Sequence, residues 1–178
     1  MRAKGTLLDD ADGAHATLVF RREYAHAPER VWAAIATPEG LAGWLTSTRA
    51  HIDGRVGGAI ELVSGPAQYH STGAILAWDP PRLLEYEWNV APAPEMPRGE
   101  RAIFRYELAA RGDGTQLVVT YRRVTRHTAR GFLPGLHALL DRLKAQLDGV
   151  ALPDWHARFA ELRAEYPEWP EHAPAAGQ

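Results

Sequence analysis

Four leucines near the end of the chain limit the fold more than any other feature. Leu136, Leu140, Leu143 and Leu147 recur at intervals of four, three and four residues within GFLPGLHALLDRLKAQLDG. That spacing sets them on one stripe of a long α-helix, with Gly149 placed to cap its C-terminus. A stripe so apolar must be covered. From about residue 49 to the start of this helix the pattern has period two, so the cover it predicts is an antiparallel sheet.

The strands are read as follows. ATLVFRREY is the first, and residues 1–14, with DDADG, read as a loop or frayed end. GGAIELVSG and YHSTGAILAW are strands, and Asp79-Pro80-Pro81 bends the chain after the second. RLLEYEW alternates Leu84, Tyr86 and Trp88 against Leu83, Glu85 and Glu87. NVAPAPEMPRGE holds three prolines and reads as a long loop from Asn89 to Glu100. RAIFRYELAA and TQLVVTYRRV pair across Arg111–Gly114, RGDG, as a hairpin.

Between the first strand and the rest lies APERVWAAIATPEGLAGWL, which predicts two short helices. Pro28 suits a first helical turn, and Val31, Trp32 and Ile35 form an apolar face. Thr37 is placed to cap a second helix that starts at Pro38, with Glu39 favourable near its dipole. Leu41, Trp44 and Leu45 supply the second stripe. The pair is expected to close one end of a cavity. After the long helix, PDWHARFAELRAEYPEWP predicts a last helix, with Asp154 as N-cap and Trp155, Phe159, Leu162 and Tyr166 on one face. That face is too apolar to stand free, so it is expected to pack on its own domain or on a second copy in a homodimer. EHAPAAGQ reads as a disordered tail. The organisation is thus a lead over 1–15, a domain over 16–149, and a C-terminal amphipathic helix and tail over 150–178.

Composition narrows the function. The chain has 178 residues and no cysteine, which excludes disulfides, thiol nucleophiles and cysteine-bound metals. With 20 basic against 22 acidic residues, nothing attracts it generally to nucleic acid. No signal-peptide core and no run of about 18 apolar residues is found, so membrane insertion is not expected and the cytoplasm is the simplest location.

APERVWAAIATPEGLAGWL, GAILAWDPPRLLEYEW, YELAARGDGTQLVVTY and GLHALLDRL occur in an order that resembles the START-like, or SRPBCC, superfamily. The nearest branch resembles bacterial homologues of the heat-shock protein 90 ATPase activator C-terminal domain. The similarity spans roughly residues 16 to 149. It implies an α+β helix-grip fold: a curved antiparallel sheet of about six or seven strands wrapped around the long C-terminal helix, with two short helices after the first strand. The family often has histidine at the end of the last strand, where this sequence has Tyr121, and Gly-Trp opening the last helix, where it has Gly135-Leu136. Relatives that act on the eukaryotic chaperone carry a further N-terminal domain, for which this length is expected to leave no room.

The resemblance to a cavity-forming family singles out an inward-facing set. Trp44, Trp88, Phe104, Tyr106, Tyr121, Leu136 and Leu140 are the candidate ligand-binding residues. Candidate acid–base groups are His70 and Tyr121, while Glu61, Glu85, Glu87 and Glu107 are expected to face outward. The eight histidines show no recurrent metal spacing; His51 with Asp53, and His127 and His137 beside the long helix, are expected at the surface or in caps. Arg122, Arg123, Arg126 and Arg130 form a basic cluster expected in a solvated loop. Three functions compete: binding a small hydrophobic molecule without metal or cofactor, catalysis of a cyclase or hydrolase kind, and surface contact with a chaperone as a stress-related partner.

Overall fold

The alternating segments resolve into one sheet in the computed structural model, which describes residues 4–166. In chain order the elements are β1 (Thr6–Asp9), β2 (His15–Tyr24), α1 (Pro28–Ala36), α2 (Pro38–Trp44), β3 (Arg49–Ile52) and β4 (Ala59–Ser64). There follow β5 (Tyr69–Asp79), β6 (Leu83–Val90), β7 (Glu100–Arg111), β8 (Gly114–Thr125), α3 (Arg126–Asp148) and α4 (Trp155–Glu165). The eight strands are antiparallel in the order β1-β2-β8-β7-β6-β5-β4-β3. Register shifts in β2 between Ala16 and Leu18, and in β5 between Ile75 and Ala77, help the sheet to curve. This is the helix-grip α+β architecture.

The topology explains the break at TPEG. β2 lies next to one edge of the sheet and β3 is the opposite edge. The α1–α2 pair carries the chain between them. Thr37 makes the corner: its hydroxyl accepts from Gly40 N–H at 3.0 Å and donates to Ala33 O at 2.6 Å. A Cβ at Gly40 would lie 2.0 Å from Ala33 O, so only glycine lets the two helices meet this closely. Trp44 then seals the joint, wholly buried, its indole N–H donating to Ala34 O at 2.8 Å.

The leucine stripe is core. Leu140 and Leu143 have no exposed surface, and Leu136 and Leu147 are buried. Gly149 ends the helix in the left-handed region at φ 70°. Arg142 ties α3 to α2 by donating to the carbonyls of Gly43 and Trp44, and also to Pro153 O.

Two expectations need correction. Part of the N-terminal lead is not a loop: β1 pairs with β2, Thr6 opposite Val19. The polar DDADG is the turn of that hairpin, because Asp12 accepts from Ala14 N–H and His15 N–H at 2.8 and 3.0 Å. The long helix also begins earlier than GFLPG. Arg126 and Arg130 are helical, and Arg122 and Arg123 belong to β8, so the basic cluster is not a loop. Another strand anchors Thr125, the N-cap residue of this early start, whose own side chain makes no capping hydrogen bond. Buried Glu100 accepts from Thr125 N–H at 2.9 Å and from Thr125 Oγ at 2.8 Å.

α4 folds back onto α3. Asp154 accepts from Ala157 N–H at 2.8 Å, as its N-cap position predicts. Arg158 pairs with Asp141 at 2.7 Å, and Leu162 is wholly buried. Tyr166 hydroxyl shares a hydrogen bond with His137 Nδ1 at 2.7 Å and accepts from Gly5 N–H at 2.9 Å. His137 is therefore a buried residue, not the surface or capping group expected. The segment expected to be a disordered tail lies outside the described residues.

Candidate functional site

The central strands bring aromatic residues into register on the inner face. Leu18, Tyr121, Phe104 and Tyr86 form one row across β2, β8, β7 and β6. Phe104 and Tyr121 stack with ring centroids 3.5 Å apart and planes 6° from parallel. On its other side Phe104 stacks against Trp88 at 4.8 Å and 17°. Trp88 is in turn met edge-on by Phe132 of α3 and Tyr69 of β5. The ring faces are thus largely occupied by one another.

This ladder forms one wall of a cavity of about 420 Å³. Opposite it runs one side of α3, with His127, Gly131, Phe132, Gly135, Leu136 and Leu139. α4 adds Trp155, His156 and Phe159. The mouth is edged by the β4–β5 turn at Gly65–Ala67 and by Glu95 and Met96 of the Pro-rich loop. Two glycines open the α3 side. A Cβ at Gly131 would meet nothing within 4 Å, and one at Gly135 would make only ordinary contacts, with Trp155 at 3.4 Å and Phe159 at 3.8 Å. Gly135 O accepts from the Trp155 indole N–H at 3.1 Å, which fixes α4 against the helix.

The sequence-selected residues fall into two groups. Trp88, Phe104, Tyr121 and Leu136 border the cavity. Trp44, Tyr106 and Leu140 do not. Trp44 is spent on the α1–α2 joint. Tyr106 lies one row along the sheet, paired with Leu84 and Val119, and backs the wall through its hydroxyl, 2.7 Å from that of Tyr121, and its ring, stacked on Tyr86. Leu140 borders a separate half-open depression beside Tyr24 and Asp141. Tyr69, Tyr86, Met96, Phe132, Trp155 and Phe159 are among the lining residues that sequence reasoning passed over. For Trp155 and Phe159 a signal existed, the apolar face of the last helix.

The candidate acid–base groups separate as well. His70 is exposed and outside the lining, hydrogen-bonded to Glu61 at 2.9 Å. None of Glu61, Glu85, Glu87 and Glu107 borders the cavity. Glu85 is held by Arg105 at 3.1 Å and Arg122 at 3.4 Å, and Glu107 by Arg105 at 3.1 Å. Burial pushes the Tyr121 phenol well above its ordinary range, and it does the same for Tyr86 and Tyr106. All three therefore act as neutral hydroxyls near pH 7. His51 is exposed on β3, and Asp53 pairs with Arg55 at 2.9 Å.

A curved antiparallel sheet gripping a long helix, with an apolar cavity between them, defines a START-like protein. The family model described as "Activator of Hsp90 ATPase homolog 1-like protein" matches residues 25–148. The chain belongs to that family. α4 lies beyond the matched span. Solved structures agree on the fold. A crystal structure of a Mesorhizobium loti protein is 25% identical, with TM-score 0.65, covering 76% of this chain and 99% of its own. A solution structure of a Bordetella parapertussis protein is 26% identical, with TM-score 0.68, covering 88% and 87%. A conserved protein of unknown function from Enterococcus faecalis is 15% identical, with TM-score 0.68, covering 91% and 90%. No curated protein matches the sequence. Among the described residues, no helix is long and apolar enough to cross a membrane.

Proposed function

We propose that the protein binds a small hydrophobic molecule in the cavity between the sheet and α3. The observation that carries this reading is the cavity itself: about 420 Å³, walled by Trp88, Phe104 and Tyr121 and opened by Gly131 on the helix side. Small-molecule sites typically fall in the range of about 300–1,000 Å³ and are mostly apolar with a few polar groups. Each Å² of apolar ligand surface removed from water contributes about 25 cal/mol, less the cost of ordering the ligand. Tyr121 and Tyr86 border the space and are neutral hydroxyls, suited to orienting a ligand rather than to moving a proton at neutral pH. His70, the other group considered for catalysis, lies outside the lining, so binding is favoured over turnover.

Native mass spectrometry of the purified full chain tests the reading. A bound species that is released on denaturation is expected, together with an apolar dye whose binding changes in Trp88→Ala. Absence of any adduct, joined to failure of every apolar probe to bind, would refute the proposal.

A further inference from the structure

The charge of the lining says something about the occupant that its shape does not. Among the described residues, no lysine or arginine borders the cavity. The nearby arginines are used elsewhere: Arg126 pairs with Asp9 at 3.1 Å and Arg122 with Glu85 at 3.4 Å. Among the described residues, the one carboxylate of the wall is Glu95, which is exposed. The buried and half-buried polar side chains of the lining are hydroxyls. The Thr125 hydroxyl gives its single hydrogen to Glu100, so Thr128 donates to Thr125 Oγ at 2.9 Å and keeps its lone pairs to accept from an occupant. Ser64 is buried at the wall, and Tyr121 shares its hydrogen bond with Tyr106. Such hydroxyls donate or accept with equal ease.

We infer that the occupant is electrically neutral: an apolar molecule carrying hydroxyl or carbonyl oxygens, not a fatty acid or other carboxylate. The inference rests on the binding function proposed above. A carboxylate drawn into this space would leave water and find no lysine or arginine, and exposed Glu95, like the exposed histidines, is screened by water. An anion buried without a partner is strongly disfavoured. A hydroxyl or carbonyl meets no such barrier and finds partners in Thr128 and Ser64. The histidines of the lining, His127 and His156, are exposed, so a proton on either would be screened by water.

Two dyes with the same ring system separate charge from shape. N-phenylnaphthylamine is neutral, and anilinonaphthalene sulfonate adds one sulfonate. Fluorescence titration of the full chain at neutral pH should show the neutral dye binding about tenfold or more tightly than the sulfonate. Glu95→Gln, which removes only an exposed charge, should leave most of that gap in place. Gly131→Leu should abolish binding of the neutral dye without unfolding the protein. Its side chain projects into open space, and leucine favours helix where glycine does not. Equal or tighter binding of the sulfonate, lost in Gly131→Leu, would overturn the neutral-ligand inference and leave the cavity as the site. Binding of neither dye, or binding indifferent to Gly131→Leu, would overturn both the inference and the binding function beneath it.

Discussion

Phe104 and Tyr121 lie face to face on adjacent strands, 3.5 Å between ring centroids, while the Tyr121 hydroxyl reaches sideways to Tyr106. One side chain thus serves both as a stacked ring and as a buried hydrogen-bonding group. The two roles can be separated. Tyr121→Phe keeps the stack and removes one of the two partners of the Tyr106 hydroxyl, leaving Tyr86, which should lower stability by about 0.5–1.5 kcal/mol. Phe104→Ala removes the central ring of the ladder and should lower it by about 3–5 kcal/mol. Urea unfolding of both variants checks the order. A Tyr121→Phe loss larger than that of Phe104→Ala would mean that the hydroxyl pair, not the stack, holds the wall.

Leu140 has no exposed surface on the gripped face of α3. Leu140→Ala should lower stability by about 2–5 kcal/mol. A loss below about half a kcal/mol would show that the face is not core.

Thr37 caps α2 and closes back on α1. Thr37→Ala should lower stability by about 1 kcal/mol, and Thr37→Ser by less. Equal losses in calorimetry would show that the hydroxyl contributes nothing.

α4 buries Leu162 completely and is pinned by Arg158 to Asp141. Ending the chain after Gly149 should lower the melting temperature by several degrees, since burying one leucine is worth about 1.5–3 kcal/mol. An unchanged melting temperature at low and high protein concentration would mark α4 as an independent appendage.

Asp148 joins the end of α3 to the start of α1 through His26, at 2.8 Å, and hydrogen-bonds Lys144 on its own helix. Lys144 first and His26 second hold its carboxyl below the ordinary value of 3.8. A depressed carboxyl contributes stability that is present above its unfolded value and is lost as pH falls through the lower folded value. Below about pH 4 the stability curve should therefore be flatter in Asp148→Asn than in the parent. Identical acid slopes for the two proteins would remove Asp148 from the acid response.

Much of this fold could be read from patterns within single segments. The leucine stripe, the Thr37-Pro38 restart, the RGDG hairpin and the Asp154 cap are all local, and each stands in the structure. What escaped is set by partners distant in sequence. The early start of α3 depends on Glu100, which sits 25 residues before Thr125. The register that stacks Phe104 on Tyr121 arises from strand pairing. Alternation could say that Tyr106 faces inward but not which inward row meets the cavity. Trp44 looked like a lining residue for the same reason. Its hydrophobicity was legible, but the carbonyl of Ala34 that claims its indole was not.

The sheet's two outermost strands, β1 and β3, are each four residues long, whereas β5, β7 and β8 run to 11 or 12. Each border therefore exposes few unpaired amides and carbonyls to another molecule, and β3 carries Arg49 and His51 along its short length. Short, charged borders are poor templates for strand addition. The long strands of this protein are kept in the middle of the sheet, so the order of pairing itself limits how much strand edge another molecule could add to.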